Sequence, residues 1–441
     1  IKASLSRGFF IILHLDCMRV ISKIYLSLIS FILYVPNWTV IDLKGQQWLL
    51  LSSINALFIT YTLINKSDNK KYLSYPVFLS FLSLFTISLI SATYSINLSE
   101  SISKLTDIFS ILSTLYLIYY FIAHKLISLK FLLTLVLITL LIDLTGSYYQ
   151  YFTILSFTEF DWEWTNGLRG FYGNKNMGAV ALLIKLPMVM VLGQLINNRL
   201  FSNLIFVISV ITFYLIFLQS SRTAFLALFL CIIITITLLL IKRFLFKKSL
   251  KKDIKNLSKY FIPLVLGFLI FKLTVNQNDE IALETRVSSV INSSNDESAS
   301  ERFRFYSHAL EHISNNTLLG SGIGSWRIVS IKYDSQNMFS YVVPYFVHND
   351  LLEIFAETGI LGFLSYLAFF FFIFKRNLNH LFMWLKSKSN YTPVLFGYIF
   401  IFAFVDANLN FPLDRFDMQI VLVLSIAALE LNSKNIINEK D

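Results

Sequence analysis

Charged residues are scarce in this chain of 441 residues: Asp, Glu, Lys and Arg make up only 15% of it, whereas soluble domains carry about 25%. Hydrophobic residues make up 56%, among them 43 Phe and 22 Tyr. Several apolar runs approach the roughly 20 residues that a helix needs to cross a bilayer. A water-soluble core could not bury all of them, so the sequence predicts a polytopic membrane protein.

Cysteine is also nearly absent, because Cys17 and Cys231 are the only two and both lie in or beside apolar stretches. This excludes a disulfide framework and a thiolate metal site. The sequence has no HExxH or GxSxG motif, and its glycine-rich segment 320–326 lacks the Lys-Ser/Thr pair of a P-loop. His308 and His312 are spaced to share a helical face, but no carboxylate is spaced to complete a zinc site. We therefore predict no metal and no cofactor.

Twelve apolar runs are present instead. Membrane spans must satisfy their own backbone hydrogen bonds, and the alternating pattern of a β-barrel is missing, so we predict an all-α fold of twelve transmembrane helices. The predicted spans are 24–40, 46–64, 76–93, 105–123, 130–150, 176–197, 200–219, 222–241, 260–275, 350–374, 391–411 and 416–433. The corresponding regions are an N-terminal segment (1–23), nine spans (24–275), a large loop (276–347), three further spans (348–433) and a tail (434–441).

Basic residues set the predicted topology, since cytoplasmic loops of membrane proteins carry an excess of Lys and Arg. Of the 37 Lys and Arg residues, 24 fall in the termini and in the loops on the same side. Both termini are therefore predicted to be cytoplasmic. The loop 242–259 holds eight of these residues, and we interpret it as a cytoplasmic anchor that contacts anionic lipid headgroups, not nucleic acid. Met18 with Arg19 indicates a natural start, which would make residues 1–17 an upstream extension.

The large loop 276–347 is predicted to fold as a small subdomain on the outer side. Ser298 and Glu301 have the spacing of a capping box. They precede apolar residues spaced for one helical face: Phe303, Tyr306, Ala309, Leu310 and Ile313. We predict an amphipathic helix that lies along the membrane surface and ends near residues 315–316.

Arginines on the outer side are unexpected, because basic residues are concentrated on the cytoplasmic side. They are candidates for phosphate binding, since a guanidinium stays charged and binds phosphate bidentately. They are Arg169, Arg222, Arg286, Arg302, Arg304, Arg327 and Arg415. Arg222 follows Ser221 at the predicted start of a span, where the positive helix end already favours an anion. Arg302 falls in the first turn of the predicted loop helix, whereas we expect Arg304 to be solvated. A salt bridge to a nearby acid is the alternative for each arginine.

His348 precedes the tenth span, and we expect Asp350 and Glu353 to cap that helix. A histidine at the membrane's outer edge can take a proton near neutral pH, as activation of a sugar hydroxyl requires. The alternative is a polar residue at the interface with no chemical role. Residues 166–176 contain three glycines, which fit either a close approach of the backbone to a ligand or a tight packed loop.

Taken together, these segments resemble the bacterial O-antigen ligase/polymerase family of membrane glycosyltransferases. The matching segments are 170–176 (GFYGNKN), Ser221-Arg222, Arg302 ahead of 318–326 (LLGSGIGSW), His348-Asn349 and 357–362 (ETGILG). The chain departs from the family at Thr317, where family members often have Pro.

The resemblance implies a GT-C-like fold in the bacterial inner membrane with a periplasmic active site. There an acceptor hydroxyl attacks a glycan carried on undecaprenyl pyrophosphate, with inversion and without a metal or nucleotide sugar. It implies that His348 is catalytic, that Arg222, Arg302 and Arg169 bind the pyrophosphate, and that Asn349, Glu357 and Asn176 support them.

Several activities fit this resemblance. We favour ligation of O-antigen to lipid A-core, and the alternatives within the family are polymerisation of repeat units and transfer of glycan to protein. A flippase or exporter of lipid-linked oligosaccharide is the alternative from another class. Transporters place ionisable residues near the bilayer midplane, where only Asp143, Lys185 and Asp406 are candidates. The expected partners are the lipid-linked glycan, its acceptor and membrane lipids, with no nucleic acid.

Overall fold

The computed structural model describes residues 2–36, 43–64, 73–155, 164–275, 297–335, 345–386 and 391–438, and these contain α-helices and no β-strand. The helices are α1 (Lys2–Phe31), α2 (Leu43–Ile64), α3 (Pro76–Ser91), α4 (Leu98–Ala123), α5 (Leu129–Gln150), α6 (Lys175–Ile196), α7 (Arg199–Gln219), α8 (Arg222–Phe244), α9 (Lys251–Thr274), α10 (Glu297–Asn315), α11 (Trp326–Asp334), α12 (Asp350–Lys386), α13 (Thr392–Leu409) and α14 (Phe416–Asn438). Twelve of them are long and apolar enough to cross a membrane. The predicted all-α polytopic fold is confirmed.

The observed helices extend beyond the predicted spans at several places, one of which is α4, beginning at Leu98 instead of residue 105. The first span covers Asp16–Tyr34 instead of 24–40, α9 begins at Lys251 instead of residue 260, and α12 continues to Lys386. Hydropathy detects only the lipid-crossing part of a helix, whereas Lys and Arg are good helix formers and continue the helix beyond it. The loop predicted at 242–259 is consequently short, because α8 ends at Phe244 and α9 starts at Lys251.

Helix α6 lies at the centre of the bundle, where it packs against α5, α7, α8, α13 and α14. It is buried continuously from Met177 to Leu192, as expected of a helix that is apolar on every side. Its one internal cation, Lys185, lies 2.6 Å from Asp143 of α5. Two of the three ionisable residues predicted near the midplane, Lys185 and Asp143, therefore neutralise each other. Tyr172 donates a hydrogen bond to the same carboxylate (3.1 Å) and ties the loop before α6 to the pair.

A kink at Gly359 divides α12 into two parts, because this residue has φ 68° and ψ −168°. The glycine-rich turn at 320–324 fills the kink. Ser321 N donates to Ala356 O (3.0 Å), and Gly322 N donates to Glu357 O (2.8 Å). A Cβ at Gly359 would collide with the carbonyl of Leu318. The carbonyls that the kink releases are thus satisfied, and two segments that are distant in sequence form one unit.

Helix α10 is amphipathic and ends at Asn315, as predicted, but its buried face differs from the predicted one. Ala309 and Ile313 are buried, whereas Phe303 and Leu310 are 59% and 55% exposed. Phe305 is buried in their place. The buried face is the one that packs on α11 and α12. The side chains of the predicted capping box around residue 298 lie outside the described part of the chain.

Candidate functional site

His348 lies immediately before α12 in a left-handed backbone conformation (φ 60°). Its ring centroid is 6.2 Å from that of Phe305 in a near-parallel arrangement and 5.0 Å from that of Phe411 in an edge arrangement. The hydroxyl of Tyr306 lies 3.0 Å from the carbonyl oxygen of His348 and 3.0 Å from that of Asn408. Two other segments, α10 and the end of α13 with the residues after it, therefore fix the position of His348.

The imidazole of His348 is held in its neutral form. Its Nδ1 atom is buried and has no hydrogen-bond partner among the described residues. Burial lowers the pKa of His348 to about 4, and the positive charge of Arg302 contributes in the same direction. The ring is therefore neutral over the physiological range, whereas the sequence predicted a group that titrates near pH 7. A neutral imidazole is the form that can act as a base.

Arg302 is the arginine whose charge acts on His348. Burial lowers the pKa of its guanidinium, and it interacts electrostatically with Tyr306 and with Asp406 of α13. Asp406 is fully buried, and one of its oxygens accepts a hydrogen bond from Asn410 Nδ2 (2.6 Å). In the described part of the chain, Arg302 makes no salt bridge within 4.0 Å. Arg302 thus brings positive charge next to His348, and the salt-bridge alternative does not hold for it here.

A buried charge cluster lies beside His348 and is built around Lys104 of α4. Lys104 Nζ is 2.6 Å from Glu353, 3.2 Å from Glu357 and 3.6 Å from Asp414. The other oxygen of Glu353 accepts a hydrogen bond from Val347 N (3.0 Å). The cluster therefore fixes the residue that precedes His348. We refer to Lys104, Glu353, Glu357 and Asp414 as the Lys104 cluster.

The expected capping role of Asp350 and Glu353 is wrong. The N-cap is Asn349, whose Oδ1 accepts a hydrogen bond from Leu352 N (3.1 Å). Glu353 instead binds Lys104, and Asp350 accepts hydrogen bonds from Leu413 N and from a tyrosine hydroxyl, each at 3.0 Å. Glu353 thus pairs with a cation of α4, and Asp350 is bound by Tyr366 farther along α12 and by the segment before α14, which sequence spacing does not reveal.

Glu357 joins the glycine-rich turn to the Lys104 cluster. One of its carboxylate oxygens lies 3.2 Å from Lys104 Nζ, and the other accepts a hydrogen bond from Trp326 N (3.1 Å). The segment 357–362 was singled out by resemblance alone. Its geometry explains why a Glu and a Gly two residues later occur together here: the glycine makes the kink, and the glutamate binds the turn that fills it.

Arg415 connects the loop before α6 to the wall of the histidine site. Its Nη2 atom packs against Gly173 so closely that a Cβ added to this glycine would lie only 2.8 Å from it. Its guanidinium carbon is 5.8 Å from the centroid of Phe411, and its Nε is 3.5 Å from Asp417. The sequence placed Arg415 among seven outer arginines and gave no reason to prefer it.

Arg222 and Arg169 lie at the same end of the bundle, which we call the His348 end, where α4, α6, α8, α12 and α14 begin. Arg222 is half-buried and follows Ser221, whose Oγ accepts a hydrogen bond from Ala224 N (3.4 Å). Arg169 is exposed. Gln219 connects the two regions by donating to Leu168 O (3.0 Å).

Other predicted residues have structural partners. Asn174 caps α6 and accepts a hydrogen bond from Asn176 N (2.8 Å). Arg304 is only partly exposed instead of fully solvated, and its Nε lies 3.1 Å from the fully buried carboxylate of Asp334. That carboxylate is also 3.7 Å from His308 Nδ1, so the fold brings a carboxylate to this histidine that sequence spacing did not show.

Two of the remaining three residues that the sequence singled out, Arg327 and His312, also have partners. Arg327 is paired with Glu100 at 2.7 Å. His312 Nδ1 lies 3.1 Å from the hydroxyl of Tyr333. Arg286 lies outside the described residues.

Residues 207–367 match the family model described as O-antigen ligase. Over these residues the chain is similar to the O-antigen ligase family. The match runs from within α7 to within α12, so it contains Arg222, Arg302, His348 and Glu357. The predicted resemblance to the O-antigen ligase/polymerase family is confirmed. No curated protein matches the chain. Lys104, Asp406 and Asp414 lie outside the matched residues and are known as parts of the site only from the geometry.

Proposed function

We propose that this protein is a membrane glycosyltransferase that transfers a glycan from undecaprenyl pyrophosphate to an acceptor hydroxyl, and that ligation of O-antigen to lipid A-core is its reaction. The observation that carries the proposal is the pairing of the neutral, half-buried His348 with the charge of Arg302 within the residues that match the O-antigen ligase family. This pairing supplies a base and a cation at one place, which are the two groups that such a transfer needs.

In the proposed reaction, His348 orients the acceptor hydroxyl and takes its proton. The hydroxyl oxygen forms a bond to the anomeric carbon while the bond from that carbon to the pyrophosphate oxygen breaks. The electron pair leaves with the pyrophosphate, whose charge increases. Arg302 stabilises that charge, and we assign Arg222 and Arg169 the same task. Cations fixed in a poorly solvated site stabilise a developing charge more strongly than water does. Attack opposite the leaving group inverts the anomeric centre, and the mechanism uses neither a metal nor a nucleotide sugar.

An apolar groove supports a donor with a lipid tail. It has a volume of about 550 Å³ and lies between α5 and α7, lined among others by Leu141, Tyr148, Phe152 and Ile211. The α5 side continues to Gln150, whose side chain hydrogen-bonds to the backbone of Gly170, next to Arg169. We propose that the polyprenyl chain lies in this groove while its pyrophosphate lies among the arginines at the His348 end.

The proposal includes the location and orientation predicted from the basic residues: an inner membrane protein with both termini in the cytoplasm and the His348 end facing the periplasm. A flippase is disfavoured because Lys185 and Asp143 are paired at 2.6 Å and neutralise each other inside the bundle. The other polar groups described above lie at the His348 end, where a reaction at the membrane surface would need them.

A deletion strain tests the proposed ligation through its lipopolysaccharide pattern. Loss of a ligase leaves lipid A-core without O-antigen while lipid-linked polymer accumulates. Core that carries a single repeat unit would identify a polymerase. An unchanged pattern with altered protein glycosylation would identify a protein glycosyltransferase, and accumulation of lipid-linked glycan on the cytoplasmic face would identify a flippase.

A further inference from the structure

A polar cavity of about 670 Å³ lies at the end of the bundle opposite to His348. It is bounded by the end of α6, the beginnings of α7 and α9, and Tyr391, which precedes α13. We refer to it as the basic cavity. It shares no lining residue with the histidine site, and the proposed transfer reaction does not use it.

Each of the three helices contributes one regular face to this cavity. Helix α9 contributes Lys252, Asn256 and Lys259, which are spaced i, i+4 and i+7 and so lie on one side of the helix. Helix α7 contributes Arg199 and Asn203 with the same spacing. Helix α6 contributes its own set in the same register: Met190, Gly193, Gln194 and Asn197. Cations and amide groups from three helices thus converge on one space.

The lining contains three cations and no carboxylate. The nearest acid on α9, Asp253, is buried and lies 3.1 Å from Lys242 Nζ. Lys242 is in turn 3.9 Å from the centroid of the Trp384 ring. In the part of the chain that the structure describes, Arg199, Lys252 and Lys259 make no salt bridge within 4.0 Å. The described residues therefore do not neutralise the positive charge of the cavity.

Donor groups and helix ends add to this charge. The Nε2 atom of Gln194 is buried and has no hydrogen-bond acceptor among the described residues. Three helices, α7, α9 and α13, begin at the cavity, and the beginning of a helix carries a partial positive charge. A site made of cations, amide donors and helix beginnings selects an oxyanion.

We propose that the basic cavity binds a phosphate group. Two sources share this chemistry: the headgroup of an anionic phospholipid in the adjacent leaflet and a free phosphate in the aqueous phase. The volume of the cavity accommodates either one. The site differs from the general attraction of basic loops to anionic membranes, because it requires the two lysines of α9 that face the cavity and not those that face away from it.

The α9 lysines provide a matched pair of variants. K252Q/K259Q removes two charges from the lining, whereas K251Q/K255Q removes two exposed charges from the same helix turns that lie outside the lining. The probes are dioctanoyl phosphatidylglycerol, dioctanoyl phosphatidylcholine and inorganic phosphate, added to the purified full chain in a neutral detergent. Binding is measured by thermal shift and by native mass spectrometry.

We expect saturable binding of phosphatidylglycerol that weakens at least about tenfold in K252Q/K259Q, as loss of charge-assisted hydrogen bonds requires, and that is unchanged in K251Q/K255Q. Saturable binding of inorganic phosphate with the same variant pattern would support the site and identify the soluble source. Equal weakening in both double variants, or no saturable binding of any probe, would overturn the proposal. R199Q, on a different helix, repeats the test if K252Q/K259Q does not fold.

Discussion

The cations at the two ends of the bundle differ in whether they have acidic partners. At the His348 end, Lys104 is surrounded by three carboxylates, and Arg304 and Arg327 are each paired with one acid. At the opposite end, the cations of the basic cavity have no carboxylate partner within the described residues. We propose two uses of charge to explain this difference: one end holds the proposed base in a fixed position, and the other leaves positive charge available for an anion.

Within the His348 end there is a second contrast, between Arg302 and the paired cations. Arg302 interacts with His348 and Asp406 electrostatically but makes no salt bridge within 4.0 Å in the described chain. We propose that the paired cations stabilise the architecture and that Arg302 meets a charge that arrives with the substrate. The following predictions test this division.

Replacement of His348 should have the largest effect on transfer. His348→Ala removes the proposed base, and we expect a loss of at least about 100-fold in the rate, within the range that general base catalysis contributes. The assay uses purified protein and lipid-linked glycan. His124→Ala is the matched control, because this half-buried histidine lies at the opposite end of the bundle. Transfer at the normal rate by a correctly inserted His348→Ala protein would remove His348 from the mechanism.

Loss of Lys104 should reduce both stability and activity. Lys104→Met leaves three carboxylates buried without their cation, and breaking a buried ion pair from one side costs about 3–5 kcal/mol. We expect a lower melting temperature and weaker transfer. The double variant Lys104→Met/Asp414→Asn should recover part of the stability, since it removes one of the uncompensated charges. Thermal unfolding in detergent measures the stability of both variants. A Lys104→Met protein as stable as the wild type would contradict a structural role for the cluster.

Replacement of Gly359 should reduce stability less than loss of Lys104, through strain in the backbone. An alanine at φ 68° and ψ −168° is strained by about 1–3 kcal/mol, and its Cβ also meets the carbonyl of Leu318. We expect Gly359→Ala to lower the melting temperature and to displace the glycine-rich turn. Gly397→Ala is the control, because a Cβ at that helical glycine meets only ordinary contacts, the nearest at 3.4 Å. Equal behaviour of the two variants would argue against the kink as the reason for glycine at 359.

The sequence predicts the helices well because membrane spans are long and their apolar runs report burial in lipid directly. It also predicts His348 from its place before the tenth span and Arg302 from its place in the first turn of the loop helix, whereas Glu357 follows only from the resemblance. Lys104 and Asp414 escape prediction, since each gains its meaning from a partner distant along the chain, and Asp406 is predicted only as an ionisable residue near the midplane. Arg304 and Asp350 were misinterpreted for the same reason: their partners are close in space and distant along the chain.

The pH dependence of kcat/KM tests the central claim most directly, because it reports the pKa of the essential base in the free enzyme. His348 must be neutral to accept a proton, and its pKa is lowered to about 4. The wild type should therefore be equally active from about pH 5.5 to 7.5 and lose activity as the pH falls through about 4. The variant Arg302→Gln removes a positive charge near His348, so protonation of the imidazole becomes easier and its pKa rises. The fall in the activity that remains should therefore move to higher pH. A wild-type midpoint at the ordinary histidine value near 6.5, or a midpoint that Arg302→Gln does not move, would contradict the account.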